Sequence, residues 1–274
     1  MTSAATVSEL DDKLAQFEAR GYLHERGLIS RVLARRLEAL LRERLAVEAD
    51  SFWRETGVRL ESPGELERFM ATHGDRAAWF LAQPRATQHL VRGEFPLETR
   101  LRREFLALGD EPRLVGLLQR LLDDRALRLH YPPMLRYKVP GADQAIVPLH
   151  QDAPYFPHLP SFVNAWIPLT AITPECGGVT VLEGSHRLGP LKHEQAVLWG
   201  NYLPRDAVGT RFIERHILME PGDVLIFGPN LLHSTHPNTS DHVRYSIDSR
   251  WFGSLTDSTR QHYDVATRQV VRAF

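Results

Sequence analysis

The chain has 274 residues, of which 43% are hydrophobic and 24% charged, a composition that supports one domain with a sizeable core. Its 33 basic and 34 acidic residues nearly cancel, so no overall field attracts nucleic acid or an anionic membrane, and we expect a small-molecule partner. The single cysteine, Cys176, excludes an internal disulfide and a thiolate zinc cluster, which leaves the 13 histidines as metal ligands. Neither a signal peptide nor an apolar run of the ~18 residues that a membrane span needs is evident, so we expect a cytoplasmic protein.

Residues 1–125 are predicted to be mainly helical, because apolar side chains recur three and four residues apart. The segment Ser62–Glu65, with the sequence Ser-Pro-Gly-Glu, has the pattern of a capping box with proline at the first helical position. A further helix is predicted from Pro112 to Leu122. The clearest apolar series are Leu10, Leu14, Phe17 and Leu33, Leu37, Leu40, Leu41, Leu45.

From about Ala126 the pattern changes to short alternating runs separated by Pro and Gly, which indicates strands as far as about Phe252. Residues 189–211 are less regular, and the stretch is long enough to form a lid or a binding loop. Residues 253–274 form a C-terminal segment. The sequence therefore predicts a single domain over residues 1–274, in which a helical scaffold (1–125) supports a β core (126–252).

The tripeptide His-x-Asp occurs three times, beginning at His73, His150 and His262, so the pattern alone does not identify a metal site. On a strand, residues two apart point to the same face, so His150 and Asp152 can reach one ion from one side of a sheet. His73 lies in the helical half, and no histidine follows His262. We therefore predict that His73 and His262 are ordinary surface residues.

A third ligand, His233, follows a predicted turn and buried strand in the segment Glu220–Phe227. Two histidines and one carboxylate occupy one face of an octahedral ion and leave three adjacent positions free, the arrangement of non-haem ferrous oxygenases. Zinc is the competing metal, because hydrolytic zinc sites use the same ligands.

Arg244 favours iron chemistry with a 2-oxo acid over zinc hydrolysis. It begins a predicted strand whose alternation continues through Ser246. A guanidinium on such a strand can hold the distal carboxylate of a 2-oxo acid in a bidentate, charge-assisted pair, which a zinc hydrolase does not need. The alternative interpretation of Arg244 is a surface cation.

The segment from about Leu135 to Trp251 resembles the phytanoyl-CoA dioxygenase family of iron and 2-oxoglutarate oxygenases. The resemblance implies a mainly β fold with α elements: a double-stranded β-helix, which is a jelly-roll, cupin-like barrel of antiparallel strands buttressed by N-terminal helices. The motifs that carry it are Leu149–Asp152, Tyr155–Pro157, Ala165–Trp166, Gly177–Gly178, Gly184–His186, Pro221–Asp223, His233 and Arg244.

The resemblance also implies the site. Fe(II) would be bound by His150, Asp152 and His233, and 2-oxoglutarate would be held by Arg244, with O₂ as the second cosubstrate. Relatives that halogenate have Gly or Ala at the position of Asp152, so its carboxylate favours hydroxylation or a related oxidation. Further residues expected near 2-oxoglutarate are Lys138 and Trp166, from the resemblance, and Ser246 and Asn164, from strand alternation.

Alternation along the strand that begins at Arg244 also predicts the character of the substrate. Arg244, Ser246, Asp248 and Arg250 would face inward, while Tyr245, Ile247 and Trp251 would face the helices. Because a buried acid and base are costly unless they are paired or bound to a ligand, we expect a polar small substrate near Asp248, Arg250 and Tyr155. The alternative is that Asp248 and Arg250 form a structural ion pair.

Two other functions stay open at this stage. One is a cupin-like, metal-dependent hydrolase or isomerase that does not use 2-oxoglutarate, for which Arg244 would be unnecessary. The other is a non-enzymatic binding barrel, against which the complete set of three metal ligands argues.

Overall fold

The computed structural model describes residues 7–60, 62, 64–142, 145–159, 161–197, 200–254 and 260–272. Its helices lie mainly in the N-terminal half, as the sequence predicts, and no described helix is both long and apolar enough to cross a membrane. They are α1 (Val7–Arg20), α2 (Arg31–Thr56), α3 (Glu65–Ala71), α4 (Arg76–Ala82), α5 (Arg85–Val91), α6 (Leu97–Arg100), α7 (Pro112–Leu121) and α8 (Arg205–Val208), with a 3₁₀ helix over Arg103–Asp110.

The long helix α2 buries the apolar series that was identified in the sequence. Its N-cap is Ser30, whose Oγ accepts hydrogen bonds from two backbone N–H groups of the first turn. Gly57 ends the helix with a φ of +72°, a left-handed conformation that glycine adopts without steric cost. The buried face packs against the sheet; it comprises Ala34, Leu37, Leu41, Leu45, Ala49 and Phe52.

The predicted capping box before α3 is wrong. Helix α3 begins at Glu65, and its N-cap is Gly64, which makes no side-chain hydrogen bond. Gly64 has a φ of +67°, so the chain turns there, and Ser62 offers its carbonyl rather than its hydroxyl to the Glu65 N–H, at 3.1 Å. The Glu65 carboxylate instead accepts a hydrogen bond from the Arg59 N–H at 3.0 Å.

The described strands form two antiparallel sheets and one hairpin. The larger sheet has the order β1-β9-β4-β11-β2-β12-β13, with β3 also paired to β11; the smaller has the order β10-β5-β8; and β6 pairs with β7. The bounds are β1 Tyr22–Glu25, β2 Arg128–His130, β3 Met134–Lys138, β4 Val163–Pro168, β5 Val179–Glu183, β6 Glu194–Ala196, β7 Gly200–Tyr202, β8 Ile213–His216, β9 Val224–Phe227, β10 His233–Thr235, β11 Arg244–Phe252, β12 His262–Asp264 and β13 Gln269–Val271.

Strands also occur outside the region predicted for them. Strand β1 lies within the helical half and forms the edge of the larger sheet, paired with β9, and β12 and β13 follow Phe252. These strands are three or four residues long, too short to show a period of two, and their pairing depends on partners distant in the chain. The stretch 189–211, expected to be irregular, contains the β6–β7 hairpin and α8.

Strand β11 separates the core from the cavity. Its outward side chains pack in the main apolar core together with helical residues such as Leu37 and Phe105. Its inward side chains line the space between the two sheets. The outward residues are Tyr245, Ile247 and Trp251, and the inward residues lining the cavity are Arg244, Asp248 and Arg250.

Candidate metal centre and active site

Two histidines from distant parts of the chain lie side by side in the wall of the cavity. His150 and His233 exchange both backbone hydrogen bonds, with N···O distances of 3.0 Å in each direction. This isolated bridge places the centres of the two rings 4.1 Å apart. Because His233 begins β10, the smaller sheet positions both rings.

The hydrogen bonds of the two imidazoles define which nitrogen of each ring is available to bind a metal ion. Nδ1 of His150 lies 2.9 Å from the carbonyl oxygen of Pro148, and Nδ1 of His233 lies 3.0 Å from that of Leu231. A carbonyl oxygen only accepts, so each Nδ1 carries the proton and each Nε2 keeps its lone pair. Two Nε2 atoms are thereby prepared to bind a metal ion.

Asp152 completes the group but does not lie on a strand. Its φ of −81° and ψ of −23° put it in a turn that continues into the 3₁₀ helix Ala153–Tyr155, so the expected strand geometry of the His-x-Asp segment is wrong. Its N–H donates to the carbonyl of Pro229 at 2.9 Å, and its Oδ1 lies 3.5 Å from Nε2 of His150. One ligand atom each from His150, Asp152 and His233 lie within 4.8 Å of one another, the only such group in the described part of the chain.

The protonation states suit metal binding. Burial lowers the pKa of His233 to about 3, which keeps its ring neutral near neutral pH. Burial alone would raise the pKa of Asp152, but the neighbouring Arg250 guanidinium holds that pKa well below its ordinary value. The site therefore presents a neutral His233 nitrogen and a carboxylate anion at Asp152.

Arg250 bridges two carboxylates beside this group. Its Nη2 donates to Oδ2 of Asp152 at 3.2 Å and to Oδ2 of Asp248 at 2.8 Å. The guanidinium also lies over the ring of Phe156, 4.5 Å from its centre. The structural ion pair between Asp248 and Arg250, which was the alternative to a substrate role, is thus present.

Arg244 is a buried cation on the same strand face. Its Nη1 donates to Oγ of Ser246, and its guanidinium lies 5.6 Å from the ring centre of Trp166. In the described residues no carboxylate lies within 4.0 Å of it, and its Nε makes no hydrogen bond. Burial lowers its pKa to about 10, so the group stays charged near neutral pH.

Lys138 lies opposite Arg244 in the β3–β11 ladder. Its Nζ donates to Oγ1 of Thr235 at 2.8 Å and to the carbonyl of His236 at 2.6 Å. Burial, followed by the neighbouring Arg244 charge, lowers the pKa of Lys138 well below its ordinary value. The structure thus places two basic side chains opposite each other in the ladder, and of the two Arg244 lines the cavity.

Two other predicted residues lie elsewhere in the site. Asn164 is opposite Arg250 in the β4–β11 ladder, nearer the Asp152 end than the Arg244 end, and neither side-chain amide atom has a hydrogen-bond partner. Tyr155 lines the cavity and packs edge-on against His150, with ring centres 5.8 Å apart. The Tyr155 hydroxyl donates to the carbonyl of Asn201 in the hairpin at 2.7 Å.

A buried ion pair that was not predicted from the sequence lies in the cavity wall. Glu94 accepts from Arg136 at 3.0 Å and lies 2.8 Å from Nδ1 of His89. Arg136 precedes Lys138 by two residues on β3, so strand alternation predicts that both side chains point to the same, inward face of the sheet. Glu94 follows α5 and carries no such signal. The cavity has a volume of about 310 Å³, and its lining includes Glu94, Met134, Arg136, Phe156, Trp166 and Phe227.

Gln151, the middle residue of the His-x-Asp segment, was also missed. It is fully buried: its Oε1 accepts from the Leu191 N–H at 2.8 Å, and its Nε2 donates to the carbonyls of Gly189 and Asn230 at 2.9 and 2.7 Å. Its backbone N–H donates to Nε2 of His193 at 2.9 Å. Gln151 therefore joins the segment that carries two candidate ligands to the base of the hairpin.

The other two His-x-Asp segments lie outside the site. His73 is exposed, as expected, and its Nδ1 bonds the carbonyl of Phe69 at 2.9 Å. The prediction that His262 is a surface residue is wrong, because β12 pairs with β2 and the His262 ring is buried against Phe252, with ring centres 5.7 Å apart.

Comparison with models of known protein families shows which family the chain belongs to. The model of the family described as phytanoyl-CoA dioxygenase (PhyH) matches residues 17–246. The chain belongs to the phytanoyl-CoA dioxygenase family. The resemblance inferred from the ordered motifs is thereby confirmed.

Curated members of the phytanoyl-CoA dioxygenase family match the chain over a shorter range. A 1-deoxypentalenic acid 11-beta-hydroxylase from Streptomyces exfoliatus is 38% identical over 129 residues, which cover 42% of this chain and 46% of the relative. The human peroxisomal phytanoyl-CoA dioxygenase is 35% identical over 107 residues, 36% of this chain and 31% of the relative. The chain thus matches less than half the length of these relatives.

Solved structures extend the likeness of this phytanoyl-CoA dioxygenase family member to nearly the whole chain. The carbocyclase SnoK from nogalamycin biosynthesis, described as non-heme and alpha-ketoglutarate-dependent, has a TM-score of 0.58 at 17% identity, covering 96% of this chain and 90% of its own. EctD from S. alaskensis, solved with 2-oxoglutarate and 5-hydroxyectoine, has a TM-score of 0.58 at 17% identity, covering 97% and 84%. The predicted jelly-roll fold is confirmed, as a mixed α/β structure whose described antiparallel sheets do not close into a barrel.

Proposed function

We propose that this protein is an Fe(II)- and 2-oxoglutarate-dependent dioxygenase that hydroxylates, or otherwise oxidises, a small polar organic substrate with release of succinate and CO₂. One observation carries the proposal: the buried group of His150, Asp152 and His233 shares a cavity with Arg244, a buried cation that has no carboxylate partner among the described residues. Membership of the phytanoyl-CoA dioxygenase family supports it.

The three candidate ligands fit a ferrous ion. Both imidazoles offer a bare Nε2, because each Nδ1–H is used by a backbone carbonyl, and Asp152 supplies the anionic oxygen. Three ligands on one face leave adjacent positions for a bidentate cosubstrate and O₂. Iron bound there with 2-oxoglutarate supplies the oxidising chemistry, while the protein orients the substrate and excludes water.

The basic end of the cavity fits the dicarboxylate cosubstrate. We propose that Arg244 pairs with the distal carboxylate, that Ser246 orients the guanidinium, and that Lys138 adds a second donor. Trp166 would close one side, since Arg244 already lies against its ring. Asn164 lies nearer the Asp152 end, and it stays a proposed contact to the metal-facing end of the cosubstrate because neither of its amide atoms has a protein partner.

The lining of the cavity supports a substrate that carries both polar and apolar groups. Asp248 lines the cavity, and its Oδ1 has no hydrogen-bond partner although Oδ2 is held by Arg250. A substrate hydroxyl or amine could donate to that oxygen, with Arg250 and Tyr155 beside it. Met134, Phe156 and Trp166 would contact the carbon skeleton.

We further propose that residues 189–211 act as a lid within a single domain that spans residues 1–274. The hairpin covers the cavity, where Tyr155 bonds the carbonyl of Asn201 and Nη2 of Arg92 bonds that of Val197, at 2.7 and 2.8 Å. Both of these contacts use backbone carbonyls of the hairpin, whereas its base is held by Gln151 through the Leu191 N–H and the Gly189 carbonyl, so we expect the tip to open about a fixed base.

The decisive experiment is an anaerobic titration of the protein with Fe(II) and then with 2-oxoglutarate. A weak visible charge-transfer band, which forms only when the keto acid chelates the iron, is the expected result. The same preparation, exposed to O₂ with panels of polar and lipidic compounds, should release succinate faster with a polar one. An iron-loaded protein that shows no band would instead support a metal-dependent hydrolase or isomerase.

A further inference from the structure

Arg250 contacts the candidate metal ligand Asp152, although a guanidinium is itself no metal ligand. Its guanidinium donates to Oδ2 of Asp152, while Oδ1 of the same carboxylate lies 3.5 Å from Nε2 of His150. One carboxylate thus has its two oxygens in different roles, with Oδ2 turned to the arginine and Oδ1 to His150.

The backbone does not aim the Asp152 side chain by itself. Asp152 lies in a turn outside the strand ladders, tied by its N–H to the Pro229 carbonyl, so alternation along a sheet does not direct its carboxylate. Arg250 does lie on a ladder, in the middle of the sheet, where β11 pairs with β4. A side chain on a strand ladder can therefore orient one that no ladder directs.

Arg250 is in turn held on three sides. Oδ2 of Asp248 accepts from its Nη2 at 2.8 Å, the Asp248 carbonyl accepts from Nη1 at 3.4 Å, and the ring of Phe156 covers the guanidinium. Phe156 follows the same turn that begins at Asp152. The arginine therefore contacts the ligand-bearing turn at both of its ends.

We propose that Arg250 is a positioning residue for the metal centre: held by Asp248, it restrains Asp152 so that one carboxylate oxygen, Oδ1, faces the two histidine nitrogens. The inference rests on the proposed metal centre. A guanidinium suits this task because its planar group lies over the Phe156 ring, which fixes Nη2, the nitrogen that donates to both carboxylates; the flexible ammonium of a lysine would not be fixed in this way. One-oxygen binding would also keep the remaining metal positions open for cosubstrate and O₂.

The test uses Co(II) as a spectroscopic probe, without 2-oxoglutarate, in the full-length protein. Arg250→Gln should weaken Co(II) binding by about 10- to 100-fold, the usual effect of losing a group that orients a ligand. It should also change the visible d–d spectrum, because Asp152 can then offer both oxygens. Arg250→Lys should recover part of the affinity but not the spectrum. Asp248→Asn, which keeps the arginine and its bond to Asp152, should have a smaller effect than either.

Arg136→Gln is the matched control. Arg136 lines the same cavity and forms an ion pair with the buried Glu94, but it makes no contact with Asp152. Arg136→Gln removes a comparable ion pair from the cavity wall. The control therefore shows how far the loss of a structural ion pair alone changes Co(II) affinity and the spectrum. We expect its Co(II) affinity to stay within about twofold of the wild type and its spectrum to be unchanged, because the sites do not share partners.

The outcomes separate this inference from the proposed function. If Arg250→Gln has the Co(II) affinity and the spectrum of the wild type, the positioning role is overturned and the metal centre stands. If Arg250→Gln does not fold, a wild-type spectrum in Arg250→Lys leads to the same conclusion. A wild-type protein that does not bind Co(II), or binds it equally well after His150→Ala, would overturn the metal centre and this inference together.

Discussion

His150 and His233 share a pair of reciprocal backbone hydrogen bonds, so pairing of the main chain sets the positions of the two imidazoles, whose ring centres lie 4.1 Å apart. Each ring then uses its Nδ1–H on the carbonyl of the residue two positions earlier in the chain. This arrangement makes the spacing of the two Nε2 atoms a property of the fold. Replacing either ring should therefore remove a ligand without dismantling the strand pairing.

The first prediction follows from that relationship. His150→Ala and His233→Ala should each abolish Fe(II) binding and succinate formation, because two remaining ligands do not hold the ion on one face. Calorimetric Fe(II) titration and a succinate assay would measure both effects. His73→Ala is the matched control, since His73 also begins a His-x-Asp segment but is exposed and remote; it should leave both quantities nearly intact. Normal turnover by His150→Ala would contradict the assignment of the metal ligands.

The second prediction concerns Arg244. Losing a buried, charge-assisted pair costs about 2 to 5 kcal/mol, so Arg244→Ala should raise the 2-oxoglutarate requirement by tens-fold or more. Arg244→Lys should recover only part, because lysine lacks the planar fork. Fe(II) affinity, measured on the same samples without cosubstrate, should not change. If the 2-oxoglutarate requirement were unchanged in Arg244→Ala, then Lys138, its partner in the ladder, would be the anchor.

The third prediction concerns the Glu94–Arg136 pair and pH. Burial by itself raises the pKa of Glu94, but Arg136 and His89 more than offset it and lower that pKa from 4.5 to about 2. A depressed folded-state pKa contributes stability above the unfolded value, and this contribution is lost as the pH falls from about 4.5 towards 2. Glu94→Gln should thus reduce the unfolding free energy at pH 7 by up to about 3 kcal/mol, and by less at lower pH.

Urea unfolding of wild type and Glu94→Gln at pH 7 and near pH 3 would check this dependence. Glu98→Gln removes an exposed carboxylate on α6 and serves as the control, with a change within about 0.5 kcal/mol. A Glu94→Gln difference that is the same at both pH values would show that the carboxylate is not stabilised by its charged partners.

The fourth prediction concerns the base of the hairpin. Gln151→Met keeps the volume of the side chain but leaves the Leu191 N–H and the Gly189 and Asn230 carbonyls without their partner. We expect the unfolding free energy to fall by about 1 to 3 kcal/mol. Trypsin should also cut faster at Lys192, which is exposed beside that base.

Gln119→Met is the control for this change, because the Gln119 amide makes one exposed hydrogen bond, to the Arg125 carbonyl. It should alter neither stability nor the tryptic cleavage rate at Lys192 appreciably. Equal cleavage rates at Lys192 in Gln151→Met and wild type would mean that the hairpin is held by its other contacts.

The sequence by itself determined the features that depend on local pattern. Apolar residues three and four apart predicted α1, α2 and α7, because burying one face of a helix demands that spacing. Alternation along β11 separated Arg244 and Asp248 from Tyr245 and Ile247, because successive side chains of a strand point to opposite faces. The order of motifs also sufficed to indicate the family.

Only the tertiary structure decided what depends on contacts between distant segments. Asp152 acquires its direction from Arg250, and Glu94 meets Arg136 across an isolated bridge between a helical turn and a strand. The short strands β1 and β12 form because partners are present, and β12 buries His262, which the sequence placed at the surface. Pairing across the chain carries no local signature, since a four-residue segment has no period of its own and its conformation follows from the edge it meets.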